Sequence, residues 1–212
     1  KVLRIKGKVI PVSYTDTNLS ARYEDGSIVT EEHLIDEPSH DGTIKIQDVF
    51  LSPKADASPE AIEAIRHADL IVLGPGDLYT SLIPNLLVDG IPQALERTRA
   101  TIVYILNLMT KYGQTYQYSA SDHMRALSRF IGTSIDAVIV NTVKIPVRAL
   151  KVYAKSHEVP VNDDLIDKNP YRVYRTSLVG DTIMTKSKSD ALVRSLIRHD
   201  SGKLAKLLLS LL

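Results

Sequence analysis

The sequence predicts an α/β fold: a doubly wound, mostly parallel sheet with helices on both faces, preceded by a small β-rich appendage. Three observations carry this. Apolar runs without polar alternation, Leu70–Leu73, Thr101–Leu106 and Ile135–Val140, read as strands covered on both faces. They end at Gly74, Asn107 and Asn141, at intervals of about 34 residues, the length of a strand–helix–strand unit, and no residue-level repeat signals a solenoid. Residues 1–54 instead carry short extended stretches broken by Asp-Gly pairs.

Within residues 1–54, extended stretches fall at Val9–Val12, Leu19–Tyr23, Ile28–Val29 and Ile44–Leu51, with turns at Asp25-Gly26 and Asp41-Gly42. Residues 55–212 are expected to form the Rossmann-like unit. Ser58 suits a helix cap and Pro59 a first helical position, and Ala61, Ile62, Ile65 and Ala68 recur at helical spacing into the strand Leu70–Leu73. Helical segments separate the next two strands. Val147–Ala154 reads as a helix, Tyr171–Leu178 as a strand and Asp190–Leu212 as one or two helices. The apolar ending Leu204–Leu212 reads first as a docked helix and second as a subunit contact of a homo-oligomer. Right-handed crossovers would place the carboxyl ends of the three central strands on one edge, gathering Gly74–Ser81, Asn107–Thr115 and the loop after Asn141, where open α/β sheets bind ligands.

Composition narrows the partners. The 212 residues are 44% hydrophobic, enough for a real core, and 26 Lys and Arg balance 25 Asp and Glu. A formal charge of +1 gives no basic field for general nucleic-acid binding. With no cysteine, disulfides, thiolate nucleophiles and cysteine zinc sites are excluded. No apolar run reaches the roughly 20 residues of a membrane span, and Lys1–Lys6 is too charged for a signal peptide. A cytoplasmic location is expected. The sequence opens on Lys, so a piece of a longer translation product is also expected.

The chemistry concentrates in two loops. Gly74 and Gly76 lack the Cβ that keeps backbone N–H groups from an anion, Pro75 restricts the turn, and Thr80 and Ser81 add hydroxyls where a helix could begin. No Lys-Ser or Lys-Thr follows, so this is not a P-loop, and Tyr79 stands at the third glycine position of a dinucleotide fingerprint. A tight turn without ligand is the bland alternative; three such loops on one edge favour binding. In the second loop Asn107, Thr110 and Thr115 offer hydrogen-bonding groups around Gly113. Ser119 or Ser121 could cap the helix carrying Met124, Leu127 and Ile131, either facing an anion or merely capping. Asp122 and His123 form a candidate acid/base pair, although neighbouring helix positions point apart. His33, His40, His67, His157 and His199 show no metal spacing and read as surface residues. Tyr112, Tyr116 and Tyr118 read as covers for a base or sugar or as packing anchors. Arg97, Arg99, Arg172 and Arg175 read as solvated charges.

Four segments together form a specific signature: Ala68–Gly76, Leu78–Ser81 with Ile83–Val88, Asn107–Thr110 and Tyr118–His123. They resemble the CofD-like family, which comprises 2-phospho-lactate transferases of deazaflavin coenzyme synthesis and YvcK-type gluconeogenesis factors. The resemblance is strongest over residues 68–141 and closest to the second branch. It implies a cytoplasmic regulator of carbon metabolism and cell shape that binds a UDP-type nucleotide sugar. Gly74, Gly76, Thr80 and Ser81 would cradle the diphosphate, Asn107, Thr110 and Thr115 would line the sugar or base, and Pro75, Tyr79, Asn85, Ser121, Asp122 and His123 complete the expected binding set. The alternative is a transferase moving a phospho-lactyl group from a nucleotide diphosphate donor to a deazaflavin alcohol with Mg²⁺; the segment Asn107–Thr110 looks unlike that branch. No catalytic base or metal-ligand set is assigned. Asp77 stands where the family usually has Ser, Asp89 replaces a common Pro, and Lys111-Tyr112 replaces Gln-Pro. An acidic Asp77 would repel phosphate unless a metal or a base intervenes. The family's N-terminal half, with its glycine-rich turn and acidic residues, has no counterpart before Lys1, so an incomplete site is expected.

Overall fold

The computed structural model describes residues 7–166, 170–180 and 196–212. Two sheets organise them. Strands β1 (Asn18–Tyr23), β2 (Ile28–Thr30) and β3 (Ile46–Ser52) form an antiparallel sheet in the order β2-β1-β3. Strands β4 (Leu70–Leu73), β5 (Thr101–Ile105), β6 (Ala137–Asn141) and β7 (Arg172–Thr176) form an all-parallel sheet in sequence order.

Local chemistry explains most boundaries. Asp25-Gly26 closes the β1–β2 hairpin: Gly26 adopts φ 86°, and the Asp25 carboxylate accepts from the Ser27 N–H at 2.9 Å. Asp41-Gly42 is a turn as well, but it follows the short helix α1 (Glu32–Asp36) and leads into β3. Ser58 caps helix α2 (Pro59–Arg66) by accepting from the Ala61 N–H at 3.2 Å. After β4 the chain makes a π-helical turn, Leu78–Leu82, into the short helix α3 (Ile83–Leu86); α4 (Ile91–Arg97), α5 (Ala120–Ser128), α6 (Val147–Tyr153) and α7 (Ser201–Leu209) follow.

The period-2 alternation of β5 divides its side chains between two cores. Ile102 and Tyr104 join a cluster with Ile91, Leu95, Met124 and Leu127 from α4 and α5. Val103 and Ile105 join Ile139, Leu178 and the α7 residue Leu204 on the opposite face. Helices therefore cover both faces, as the apolar runs predict. The first cluster also takes in Leu19, Ala21, Tyr23, Ile35 and Val49, so the small sheet packs onto the α/β unit through a shared core.

Four expectations are corrected. Val9–Val12 forms no strand; Ile10 and Val12 pack against the core, and the Val12 carbonyl accepts from the Ser58 N–H at 2.8 Å. Strand β4 is covered less completely than expected: Ile71 and Leu73 pack toward the first core and Leu70 toward the second, but none is fully buried. It is the sheet's edge in this chain, its side chains are half-buried and Val72 is 36% exposed. The helical turn expected near Thr80 begins at Leu78. Among the last residues the described helix is Ser201–Leu209; the part of the expected helix at 190–195, like the opening 1–6, lies outside the described residues.

Candidate functional site

Parallel pairing of β4 with β5, Leu73 opposite Tyr104, brings two strand exits side by side. Gly74 turns the chain with φ 86°, and a Cβ there would lie 3.3 Å from the Ile105 carbonyl oxygen, so the turn can hug the neighbouring strand only as glycine. Asn107 ties the two exits together. Its Nδ2 donates to the Gly76 carbonyl at 2.9 Å, and its Oδ1 accepts from the Tyr104 hydroxyl at 3.2 Å.

Over this junction opens a cleft of about 670 Å³, in the range that takes a small organic ligand. Pro75, Gly76 and Asp77 supply one wall, and Asn107 to Lys111 supply the next. Val152, Tyr153, Ser156 and Glu158, on and just after α6, form a third, and Leu196 to His199 with Ser201 and Leu204 a fourth. Asp36, at the end of α1, enters from the small sheet's side. The loop directly after Asn141 is not in the lining: the Asn141 carboxamide oxygen accepts from the Val143 and Leu178 N–H groups instead. A larger groove, about 870 Å³, lies at the opposite sheet edge between Arg99, Thr101, Asp136 and Arg172; it contains neither glycine turn.

Of the thirteen residues expected to bind, Pro75, Gly76, Asn107 and Thr110 line the cleft. Gly74 shapes it from behind. The others sit elsewhere, with partners of their own. Tyr79 is buried and shares a 3.0 Å hydrogen bond with the Tyr118 hydroxyl. Thr80 is buried, and its hydroxyl oxygen accepts from Gln114 Nε2 at 3.3 Å. Thr115 accepts from the Lys111 N–H at 2.9 Å, closing the second loop on itself. Within the cleft lining, Thr110 is itself buried and its hydroxyl oxygen accepts from the Val159 N–H at 3.0 Å. Ser81 is exposed and its carbonyl accepts from Asn85 Nδ2 at 2.7 Å.

The segment Ser119–His123 is a helix start. Ser119 and Asp122 form a reciprocal capping box on α5, Asp122 also pairs with Arg125 at 2.8 Å, and Ser121 donates to Asp164 at 2.6 Å. His123 is fully buried, its Nδ1 against the Ser119 carbonyl at 2.9 Å, and burial lowers its pKa, opposed by Ser119 and Asp122. Asp122 and His123 thus address different partners, as adjacent helix positions do. Tyr112, Tyr116 and Tyr118 act as anchors: Tyr112 packs on Gly42 and edge-on to Tyr116 at 5.7 Å.

The cleft also holds residues that the motifs did not single out. Lys111 Nζ lies 3.0 Å from Asp36 Oδ1 and 3.4 Å from Asp77 Oδ2. Asp77 and Lys111 are therefore partners, and of the metal or base that an acidic Asp77 would need beside phosphate the described side chains supply a base. Burial raises the Asp77 pKa, Lys111 opposes and Asp36 adds to the rise. Burial would lower that of Lys111, but Asp77, Asp36 and Glu158 outweigh it and the net shift is upward. Glu158 is pushed up to about 7, first by burial and then by Asp77 and Asp36, against Lys111. His199, read from sequence as a surface residue, lines the cleft with its Nε2 buried and without a hydrogen-bond partner, and burial lowers its pKa. His40 is likewise against Tyr23, with ring centroids 4.3 Å apart. Arg175, read as solvated, pairs with Asp163 at 2.6 Å. Among the described residues no group of three or more His, Asp or Glu side chains is arranged to hold a metal ion. No described helix is long and apolar enough to cross a membrane.

Comparison with known proteins agrees with this architecture. Residues 1–179 match the family described as 2-phospho-L-lactate transferase CofD. The chain is 40% identical over 214 residues to the gluconeogenesis factor of Bacillus subtilis, covering 100% of this chain and 63% of that protein. To the gluconeogenesis factor of Halalkalibacterium halodurans it is 38% identical, covering 99% and 62%. A crystal structure of a UPF0052-family protein from Bacillus halodurans superposes with a TM-score of 0.84 at 37% identity, covering 98% of this chain and 63% of that one. The chain thus spans less than two thirds of the length of these relatives. The signature around Gly74 and Asn107, the parallel sheet that places them together and the match over residues 1–179 lead to one assignment: the chain belongs to the CofD family.

Proposed function

We propose that this chain is the ligand-binding part of a gluconeogenesis factor, a cytoplasmic regulator of carbon metabolism and cell shape that holds a nucleotide sugar of the UDP type. The observation that carries the reading is the Asn107–Gly76 hydrogen bond at 2.9 Å, which makes one rim of two strand exits above a cleft of about 670 Å³. The backbone of Pro75–Asp77 offers close approach to a diphosphate, and Asn107 to Lys111 with Tyr153 offer polar and aromatic surface to the sugar and base. The relatives' name, gluconeogenesis factor, supports the link to carbon metabolism. Diphosphate oxygens would compete with Asp36 and Asp77 for Lys111, and each charge-assisted hydrogen bond so formed is worth about 1.5–3 kcal/mol.

Calorimetric titration with UDP-sugars tests the reading; saturable heat supports it, and its absence across UDP-glucose and UDP-N-acetylglucosamine overturns it. The transferase reading is favoured by the description of the matching family and by Asp36 and Asp77 beside the glycine turn. These two carboxylates hold the Lys111 ammonium at 3.0 and 3.4 Å, so they would take Mg²⁺ only in its place, with ligand phosphates completing the shell; the ion would neutralise charge at the transferred phosphoryl group. Release of a phospho-lactyl deazaflavin on incubation with donor, deazaflavin alcohol and Mg²⁺ would establish that reading in place of the first.

A further inference from the structure

The segment Thr142–His157 contains no Asp or Glu, yet it carries Lys144, Arg148, Lys151 and Lys155 in a chain whose net charge is only +1. All four are exposed, and the ion pairs among the described residues involve other side chains. Their placement is regular. Along α6, at 100° per residue, and the 3₁₀ turn that extends it, at about 120°, Val147, Lys151, Arg148 with Lys155, and Val152 follow in that angular order within an arc of about 140°. Three cations occupy the middle of the arc, and a valine stands at each margin, Val147 68% and Val152 46% exposed. Ala149, Leu150 and Tyr153 occupy the other side and pack with Ile145, Val179 and Ile197. Lys144 adds a fourth exposed cation in the segment before the helix.

We propose that this face docks on an anionic phospholipid surface. Cations with no ion pair among the described residues, on one helix face, match a plane of negative headgroups, to which each basic residue contributes attraction without needing a pocket. Aliphatic stems and flanking valines reach the headgroup boundary while the charges stay at the phosphates. No acidic side chain from Thr142 to His157 opposes the approach. The site of the proposed ligand adjoins this face, because Val152 lines the cleft as well. Docking so would place the cleft next to the surface.

Flotation of the full chain with phosphatidylcholine vesicles, with and without phosphatidylglycerol, tests the proposal. Binding is expected only with phosphatidylglycerol, and NaCl at about 0.5 M should release it. The triple variant Arg148→Glu/Lys151→Glu/Lys155→Glu, checked for an unchanged thermal melt, should bind at least about thirtyfold more weakly. Lys144→Gln and Val147→Ser, single changes at exposed positions, should each weaken binding by a smaller factor. Equal binding to both vesicle types, unaltered binding of the triple variant, or capture by polyglutamate without vesicle binding would each overturn it.

Discussion

Asp77 and Lys111 show how a residue's meaning depends on its partner. Together with Asp36 they form a half-buried triad around one ammonium. Lys111→Gln leaves two carboxylates facing each other and should destabilise the fold by about 1–2 kcal/mol after allowance for solvent screening. Adding Asp77→Ser to Lys111→Gln should recover part of that loss in denaturant unfolding; additive losses would contradict the pairing. Glu158 supplies a pH test. Its carboxyl ionises about 7 when folded against an ordinary 4.5, so the unfolded chain gives up its proton first as pH rises. The side chain then opposes folding increasingly between those values and fully above about 7. Glu158→Gln should therefore raise the melting temperature more at about pH 8 than at about pH 5, and a difference that does not change with pH would contradict the assignment. The cap at Ser58, and one at Ser119 or Ser121 that the structure gives to Ser119, were legible in sequence because capping is local. The burial of Thr80 and His123 was not, because the partners that bury them are set by the fold.

At the scale of elements, the continuous apolar runs and their spacing foretold β4 to β6 within two residues, and the Asp25-Gly26 pair foretold a hairpin. What they could not carry was position in the sheet. Leu70–Leu73 reads as covered on both faces, and the cover is there but incomplete; the apolar run carries no sign of the strand's neighbours, and among the described residues β4 ends the sheet with Val72 partly exposed. Among the described residues no strand pairs with the outer side of β4, and an unpaired apolar edge invites pairing between molecules. Val72→Lys should accordingly reduce concentration-dependent association measured by light scattering, with little change in the melting temperature; unchanged association would show that the edge is protected by other means. Asp36 illustrates the same limit. It stands about 40 residues before the glycine turn, in no motif, and reaches the cleft only because the small sheet shares the α/β unit's core.

For the whole molecule, the central claim is that adjacent parallel strand exits, tied by Asn107, jointly hold one phosphorylated ligand, while the Ser119–His123 helix start serves the fold. Ligand at about a hundred times its dissociation constant adds roughly 2.7 kcal/mol of stability, which for a chain of this size raises the melting temperature by roughly 5–10 °C. Such a rise would not say where the ligand sits. Amide resonances of the isotopically labelled chain, followed during titration with a UDP-sugar, do. The account predicts saturable shifts centred on Gly76, Asp77 and Asn107 to Lys111, with Ser119 to His123 little moved. Shifts confined to Ser119–His123, or to the opposite sheet edge around Arg99 and Arg172, would contradict it.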